Sequence, residues 1–287
     1  MSDLPRHTRR GPRPTGRTTR SGKAGSAERF ALYTLCAQAP DRDARLLRAI
    51  HAGPAGDRRA GLVLGEDFSA AAALSRAWCL ADPKARAVAV DHDPEALANA
   101  KPHPRVRLRE SDVLAARDPA DLIAVLNFSI CELHTRRELV GYFRHARLRL
   151  RSGGCLVCDV YGGSDSYNTG TIWQTFKGAG GEKIRYGWEQ RTADPMTGRV
   201  VNAMHFVVSR PGRGVPRRDL RDAFVYDWRL WTLPELREAM SDAGFPVTEV
   251  YPRTAEAVDD RGDLYAMPIQ DPIEIGDAFN VFVVGRA

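Results

Sequence analysis

The chain has 287 residues, with 42 lysines and arginines against 36 acidic residues and a formal charge of +6. A hydrophobic share of 43% is that of a globular protein, and no apolar run approaches the roughly 18–20 residues that span a bilayer. Residues 1–23 hold seven basic groups (Arg6, Arg9, Arg10, Arg13, Arg17, Arg20, Lys23) against Asp3 alone, which leaves 35 basic and 35 acidic residues in the body. The composition therefore does not require a basic, nucleic-acid-binding face on the folded part.

Residues 1–26 read as a disordered basic tail. Arg9-Arg10 is followed by no hydrophobic segment, so no export signal is expected. A helix is predicted over Ala27–Gln38, with Phe30, Leu32, Leu35 and Cys36 on one face and Tyr33 beside it. A second, over Asp41–His51, is broken by the glycines and proline of residues 53–56. An apolar strand, Ala60–Leu64, stops at Gly65, and a small-residue helix is predicted from near Ser69. The strand Ala87–Val90 ends at Asp91, and Pro94 suits a first helical turn. Val106–Leu108 and Leu122–Leu126 are further strands, the latter ending at Asn127-Phe128-Ser129. A helix over Arg136–Leu150 and a strand over Cys155–Cys158, ending at Asp159, follow. Short, nearly all-apolar strands alternating with helices predict a mostly parallel α/β sheet covered on both faces.

Residues 27–163 thus form the first part of a core with two leading helices. The pattern changes over residues 164–230, where Ile184–Gln190 and Val200–Val208 alternate as an antiparallel hairpin and Ala223–Leu230 follows as a third strand. This segment is expected as an antiparallel, substrate-side insertion near the active edge. Residues 231–287 return to the core. Thr232 and Glu235 cap a helix over Leu233–Ala243, and Val247–Tyr251 and Phe279–Val284 complete the sheet as an antiparallel pair. Five cysteines without ligand-like spacing predict buried, reduced thiols, no metal and a cytoplasmic setting. Cys155 and Cys158 are expected on opposite faces of their strand.

The candidate site lies where the strands end. Gly65 would let the backbone approach a ligand, with Glu66 and Asp67 beside it. Two carboxylates in such a turn disfavour a pyrophosphate and suit an ammonium or sulfonium group, which points to S-adenosyl-L-methionine rather than NAD or ATP. Asp67 also suits a helix cap. Asp91 is placed to accept from ribose hydroxyls, His92 to cover an adenine, and Asp112 and the Val113 N–H to meet its ring edge. Asn127, Phe128 and Ser129 leave their strand at the same edge.

The segments LGEDFSAAAALSRAW, AVDHDPEALANA, VLNFSICEL and FVYDWRLWTLPELREAMSDAGF resemble the class I S-adenosylmethionine-dependent methyltransferases. They are most similar to a bacterial subgroup whose first motif reads L-x-E-D-F-C-G-T. The resemblance implies a Rossmann-like, seven-stranded, mostly parallel sheet, with Gly65 to Phe68 facing the methionine part of the cofactor. Ser69-Ala70-Ala71 stands where that subgroup has Cys-Gly-Thr. Alanine there is strained if the backbone needs positive φ.

An activated methyl needs chiefly a positioned nucleophile; for an acceptor that arrives protonated, Tyr161, His205 and His134 are the candidate bases. Trp173, Trp188, Tyr226 and Trp228 are the candidate substrate walls, favouring a small aromatic or apolar acceptor. Two alternatives stay open: an RNA methyltransferase aided by the basic tail, and a non-catalytic protein that keeps the fold. Nothing in the sequence implies a membrane partner or fixes an oligomeric state.

Overall fold

The structure, a computed structural model, describes residues 23–53, 56, 59–210, 217–253, 257–258 and 264–287. The basic segment 1–22 lies outside the described residues. The first helix begins at Lys23, inside the expected tail. In chain order the elements are α1 (Lys23–Ala37), α2 (Pro40–Ala52), β1 (Val63–Asp67), α3 (Ala73–Ala81), β2 (Arg86–Asp91), α4 (Pro94–Ala98) and β3 (Val106–Glu110). There follow β4 (Ala120–Val125), α5 (Arg136–Arg149), β5 (Leu150–Gly163), and the insertion strands β6 (Gly170–Lys177), β7 (Lys183–Asp194), β8 (Arg199–Ser209) and β9 (Arg218–Arg229). The chain closes with α6 (Leu233–Asp242), β10 (Val247–Pro252), the short pair β11 (Ala257–Val258) and β12 (Leu264–Tyr265), and β13 (Ala278–Arg286).

Seven strands form one sheet in the order β10-β13-β5-β4-β1-β2-β3, and only β13 runs antiparallel to its neighbours. This is the Rossmann-like arrangement expected. One face packs on α5 and α6 through Ile123, Val125, Leu139, Phe143, Leu236 and Met240. The other packs on α2 and α3 through Leu47, Ile50, Leu64, Trp78, Leu122 and Val157. Cys155 and Cys158 fall in these two opposite layers, and all five cysteines are free and buried. Thr135 with Glu138, and Thr232 with Glu235, make reciprocal caps at the starts of α5 and α6, which satisfies end N–H groups that have no partner within the helix.

The insertion is a separate antiparallel sheet, β6-β7-β8-β9. Its first strand, β6, is missing from the sequence reading because Ile172 and Phe176 on one face stand beside Trp173 on the other, and no clean apolar–polar alternation marks it. α1 packs on this sheet, with Leu32, Tyr33 and Cys36 against Met204, Phe206 and Ala223. Among the described residues no helix is long and apolar enough to cross a membrane.

Candidate cofactor turn and acceptor cavity

β1 runs three residues past its expected end, and that changes what its residues do. Gly65 lies mid-strand, where a Cβ would come within 3.3 Å of the Arg149 guanidinium and of Ile123. Its small size admits Arg149 rather than a ligand. Glu66 and Asp67, as successive strand residues, point to opposite faces. Asp67 is 1% exposed and accepts Arg149 at 2.7 and 3.1 Å and the Tyr142 hydroxyl at 2.8 Å. Glu66 accepts the Ser75 N–H at 2.8 Å and so caps α3. Burial pushes its pKa up to about 7, with the Ser75 hydrogen bonds opposing. Neither acid lines the turn, so the expected pair of carboxylates facing a cation is corrected.

The turn itself is Phe68–Ala72. The backbone is left-handed at alternate residues, with φ +57° at Phe68, +46° at Ala70 and +54° at Ala72. Glycine is favoured at each of these, since an L side chain costs about 1–2 kcal/mol there. The turn is held from both sides: Ser69 N–H donates to the Val90 carbonyl at 3.0 Å, and Ala70 N–H to Asp91 Oδ2 at 2.7 Å. α3 consequently starts at Ala73 rather than near Ser69. Ser69 Oγ is buried with no hydrogen-bond partner.

Asp91 ends β2, and its other oxygen accepts the Asp93 N–H at 2.9 Å. Burial raises its pKa, against these two backbone donors. His92 beside it is exposed. Ser111 N–H donates to the Asp91 carbonyl at 2.8 Å, which draws the end of β3 alongside. Asp112 is exposed there and caps a short turn through Leu114 N–H at 2.8 Å, with Val113 buried behind it. Phe68, Asp91, His92, Asp112 and Val113 are thereby gathered along one edge.

Beyond β4 the chain makes a second left-handed step, φ +59° at Asn127 and +63° at Phe128. Both N–H groups donate to the fully buried Asp159, at 3.0 and 2.7 Å, and Arg253 pairs with the same carboxylate. Burial is the main force raising the Asp159 pKa, and Arg253 is the main force lowering it. The Ser129 hydroxyl is committed to the Leu126 carbonyl at 2.9 Å.

Asn127 and Phe128 open onto a cavity of about 790 Å³ between the sheet edge, α1 and the inner face of the insertion. Trp188, Trp228, Met204 and Tyr161 wall it. Trp228 donates to Glu132 at 2.7 Å, and its ring lies 5.8 Å from that of Trp188. Tyr226 stacks behind Trp228 at 4.5 Å and is not on the cavity lining. Tyr161 donates to Gln190 Oε1 at 3.2 Å. The Gln190 amide is fixed in that sense because its NH2 donates to the carbonyls of Ser166 and Asn168. Burial also raises the Tyr161 pKa, which favours the protonated phenol.

Three expected site residues lie elsewhere. Trp173 and His205 are on the outer face of the insertion: Trp173 pairs with Gly187, which pairs with His205, one step out of phase with the cavity-lining Ile172, Trp188 and Met204. A Cβ on Gly187 would meet the Trp173 indole at 2.9 Å, so this glycine seats the ring. His205 Nδ1 accepts the Asp222 N–H at 3.0 Å, and Nε2 faces Glu189 at 3.0 Å. Ligand-type atoms of Glu189, His205 and Asp222 lie within 4.8 Å of one another. Arg191 donates to both acids, at 2.7 and 2.6 Å, and makes this an arginine-centred network rather than a metal centre. The His134 ring is bound to the Asp227 carbonyl at 2.7 Å, where it joins the core to β9.

Two residues of the cavity, Tyr33 and Arg253, escape the sequence reading: they carry no motif, and only their place in the tertiary structure brings them to this edge. The alternation of Tyr186 with Trp188 along β7 is the one signal that groups two cavity residues.

No family model and no curated protein matches this chain. Solved structures do match its fold. DesVI from Streptomyces venezuelae is 16% identical, with 93% of this chain and 99% of that one covered at a TM-score of 0.61. CalS10 from Micromonospora echinaspora, an amino pentose methyltransferase solved with S-adenosylmethionine, is 16% identical over 90% and 96% at 0.62. KedS8 from Streptoalloteichus sp ATCC 53650, a sugar N-methyltransferase, is 17% identical over 96% and 100% at 0.61. At these identities the likeness is one of fold.

Proposed function

We propose that the chain is an S-adenosyl-L-methionine-dependent methyltransferase acting on a small molecule with a flat, apolar part and an amine acceptor. The observation that carries the reading is the Phe68–Ala72 turn. It keeps a left-handed conformation at three non-glycine residues and is tied by Ala70 N–H to Asp91. Such strain persists where the surrounding structure enforces it, commonly at a ligand site. The residues fit this cofactor. Each Asp91 oxygen accepts one N–H, which leaves a lone pair on each for a ribose diol. The turn has no lysine or arginine to neutralise a pyrophosphate. The sulfonium of this cofactor supplies a methyl already activated for transfer. The chain's task is then to hold the acceptor nitrogen in line and keep water out, which the Trp188, Trp228 and Phe128 walls are shaped to do.

The polar lining of the cavity supports the acceptor class. Among the described residues no histidine lines it, the Tyr161 proton is committed to Gln190, Asp159 is paired with Arg253, and Glu274 accepts the Asp271 N–H. An amine, which gives up its own proton to water, needs no base from the protein. KedS8 is named a sugar N-methyltransferase and CalS10 an amino pentose methyltransferase, which supports this reading.

Calorimetric titration of the full chain with S-adenosylmethionine and S-adenosylhomocysteine tests the reading. Binding by the wild type, weakened more than tenfold in Asp91→Ala, is expected. Absence of wild-type binding at millimolar ligand would sink it. Equal affinity in the variant would remove Asp91 from the ribose site.

A further inference from the structure

The order of the seven strands reverses between β1 and β4, and open α/β sheets bind ligands in the crevice that such a reversal leaves at the carboxyl ends of the strands. Two segments bank that crevice. One is the Phe68–Ala72 turn after β1. The other leaves β4 through the left-handed pair Asn127–Phe128 and winds into a short helical turn, Ser129–Glu132. Ile130 and Cys131 of that turn are buried, whereas Glu132 at its end is exposed.

Glu132 is held at one oxygen and open at the other. Trp228 Nε1 donates to Oε1 at 2.7 Å, and among the described residues nothing bonds Oε2 and no lysine or arginine pairs with the carboxylate. The chain just beyond is pinned. Trp231 Nε1 donates to the Leu133 carbonyl at 3.0 Å, Arg229 to the His134 carbonyl at 3.1 Å, and the His134 ring is bound to Asp227. The open oxygen therefore has a fixed place. Trp228 links it to the cavity, since this residue is part of the cavity wall, 6.2 Å from the Phe128 ring, and its N–H meets the acid. Although the residue is exposed, burial is the main force raising its pKa and the Trp228 bond the main force lowering it, as for a carboxyl in a recess.

An unpaired anion beside aromatic faces attracts a cation twice over, by its charge and through the ring quadrupoles. The arginine at the far side of the cavity does not supply that cation, because Arg253 is paired with Asp159 and Asp43. A ligand ammonium at Oε2 gains a charge-assisted hydrogen bond and displaces no protein partner.

We infer that Glu132 binds the ammonium group of the acceptor: Trp228 fixes Oε1, and Oε2 accepts from the acceptor nitrogen where the crevice meets the cavity. This rests on the proposed methyl transfer to an amine and names the residue that selects a cationic acceptor over a neutral one of the same shape.

The test titrates the full chain and its Glu132→Gln variant calorimetrically with two probes. Sinefungin has an amine-bearing carbon where the proposed cofactor has its methyl-bearing sulfur, so it brings a cation to the point of transfer. S-adenosylhomocysteine has a neutral sulfur there and is alike elsewhere. The variant should bind sinefungin about tenfold more weakly, with less than a twofold change for S-adenosylhomocysteine. Its unliganded melting midpoint should stay unchanged, because the glutamine oxygen still accepts from Trp228. Equal losses for both probes, or none for sinefungin, would overturn the assignment while leaving the methyltransferase reading intact. Failure of the wild type to bind S-adenosylhomocysteine would overturn both.

Discussion

The two left-handed turns at the sheet edge share a backbone and differ in electrostatics. Phe68–Ala72 is held by Asp91, and Asn127–Phe128 by Asp159, each an acid from a neighbouring strand receiving backbone N–H groups. Asp159 is fully buried, accepts two N–H groups from its turn and pairs with Arg253. Asp91 is partly exposed and, among the described residues, has no arginine or lysine within ion-pair distance. The first acid has spent its bonding capacity on the protein; the second has kept some. Their positions look equivalent in the fold, yet one is closed within the protein and the other keeps the open bonding capacity that the proposed ribose contact requires.

The largest expected effect separates them. Asp159→Ala leaves Arg253 short of its closest partner and strands two turn N–H groups, a loss on the order of 3–5 kcal/mol as for other broken buried pairs. Thermal unfolding should shift down by roughly 10 °C. Asp91→Ala should cost no more than about 1–2 kcal/mol, since Asp91 is itself partly exposed, and its damage should appear in cofactor titration. Similar losses of stability in both variants would erase the distinction.

How far such a difference can be read from sequence depends on the distance between the partners. The strands and helices of the core are legible because a doubly covered sheet needs apolar runs, and Thr232 and Glu235 mark the start of α6 within four residues. Asp91 and Asn127-Phe128 are legible as a candidate site because strand ends converge on one edge. The end of β1 is not: Glu66 and Asp67 read as turn acids, and the Arg149 and Tyr142 that bury Asp67 lie 82 and 75 residues away. Ala70 and Ala72 read as helix, because alanine favours helix and only contacts from β2 force the left-handed turn. The face of His205 is not legible for a further reason. Both phases of β8 are largely apolar, Val200-Met204-Phe206 on one side and Val201-Ala203-Val207 on the other, so alternation does not say which faces the cavity.

Glu66 gives a smaller, pH-dependent contrast with the fully paired Asp67. The folded chain keeps a proton on Glu66 up to about pH 7, whereas the unfolded chain releases it near the ordinary glutamate value of about 4.3. Between those values the native state binds the extra proton, so this group's contribution to stability falls as pH rises and levels off above about 7. Glu66→Gln removes the titration while its amide oxygen can still accept from Ser75. Relative to wild type, the variant should gain on the order of 1–3 kcal/mol between pH 5 and pH 8. Denaturant midpoints measured across that range check it, and parallel curves would show that burial does not raise this carboxyl.

The smallest effect concerns the strain in the Phe68–Ala72 turn and is best read by its sign. Ala70 and Ala72 are left-handed and Ala71 between them is not. Replacing Ala70 or Ala72 by glycine relieves about 1 kcal/mol or more of backbone strain. Against that stands about 0.4–1 kcal/mol for the greater freedom of glycine in the unfolded chain. The net change should be slightly stabilising, by a few tenths of a kcal/mol at each site. Ala71→Gly carries only the entropic loss, so it should destabilise by about 0.5–1 kcal/mol. Three variants within three residues thus divide by backbone angle and not by chemistry. If all three destabilise alike, the alternation of left-handed residues is not a feature of the turn in solution, and the resemblance of this segment to a glycine-rich cofactor loop loses its physical basis.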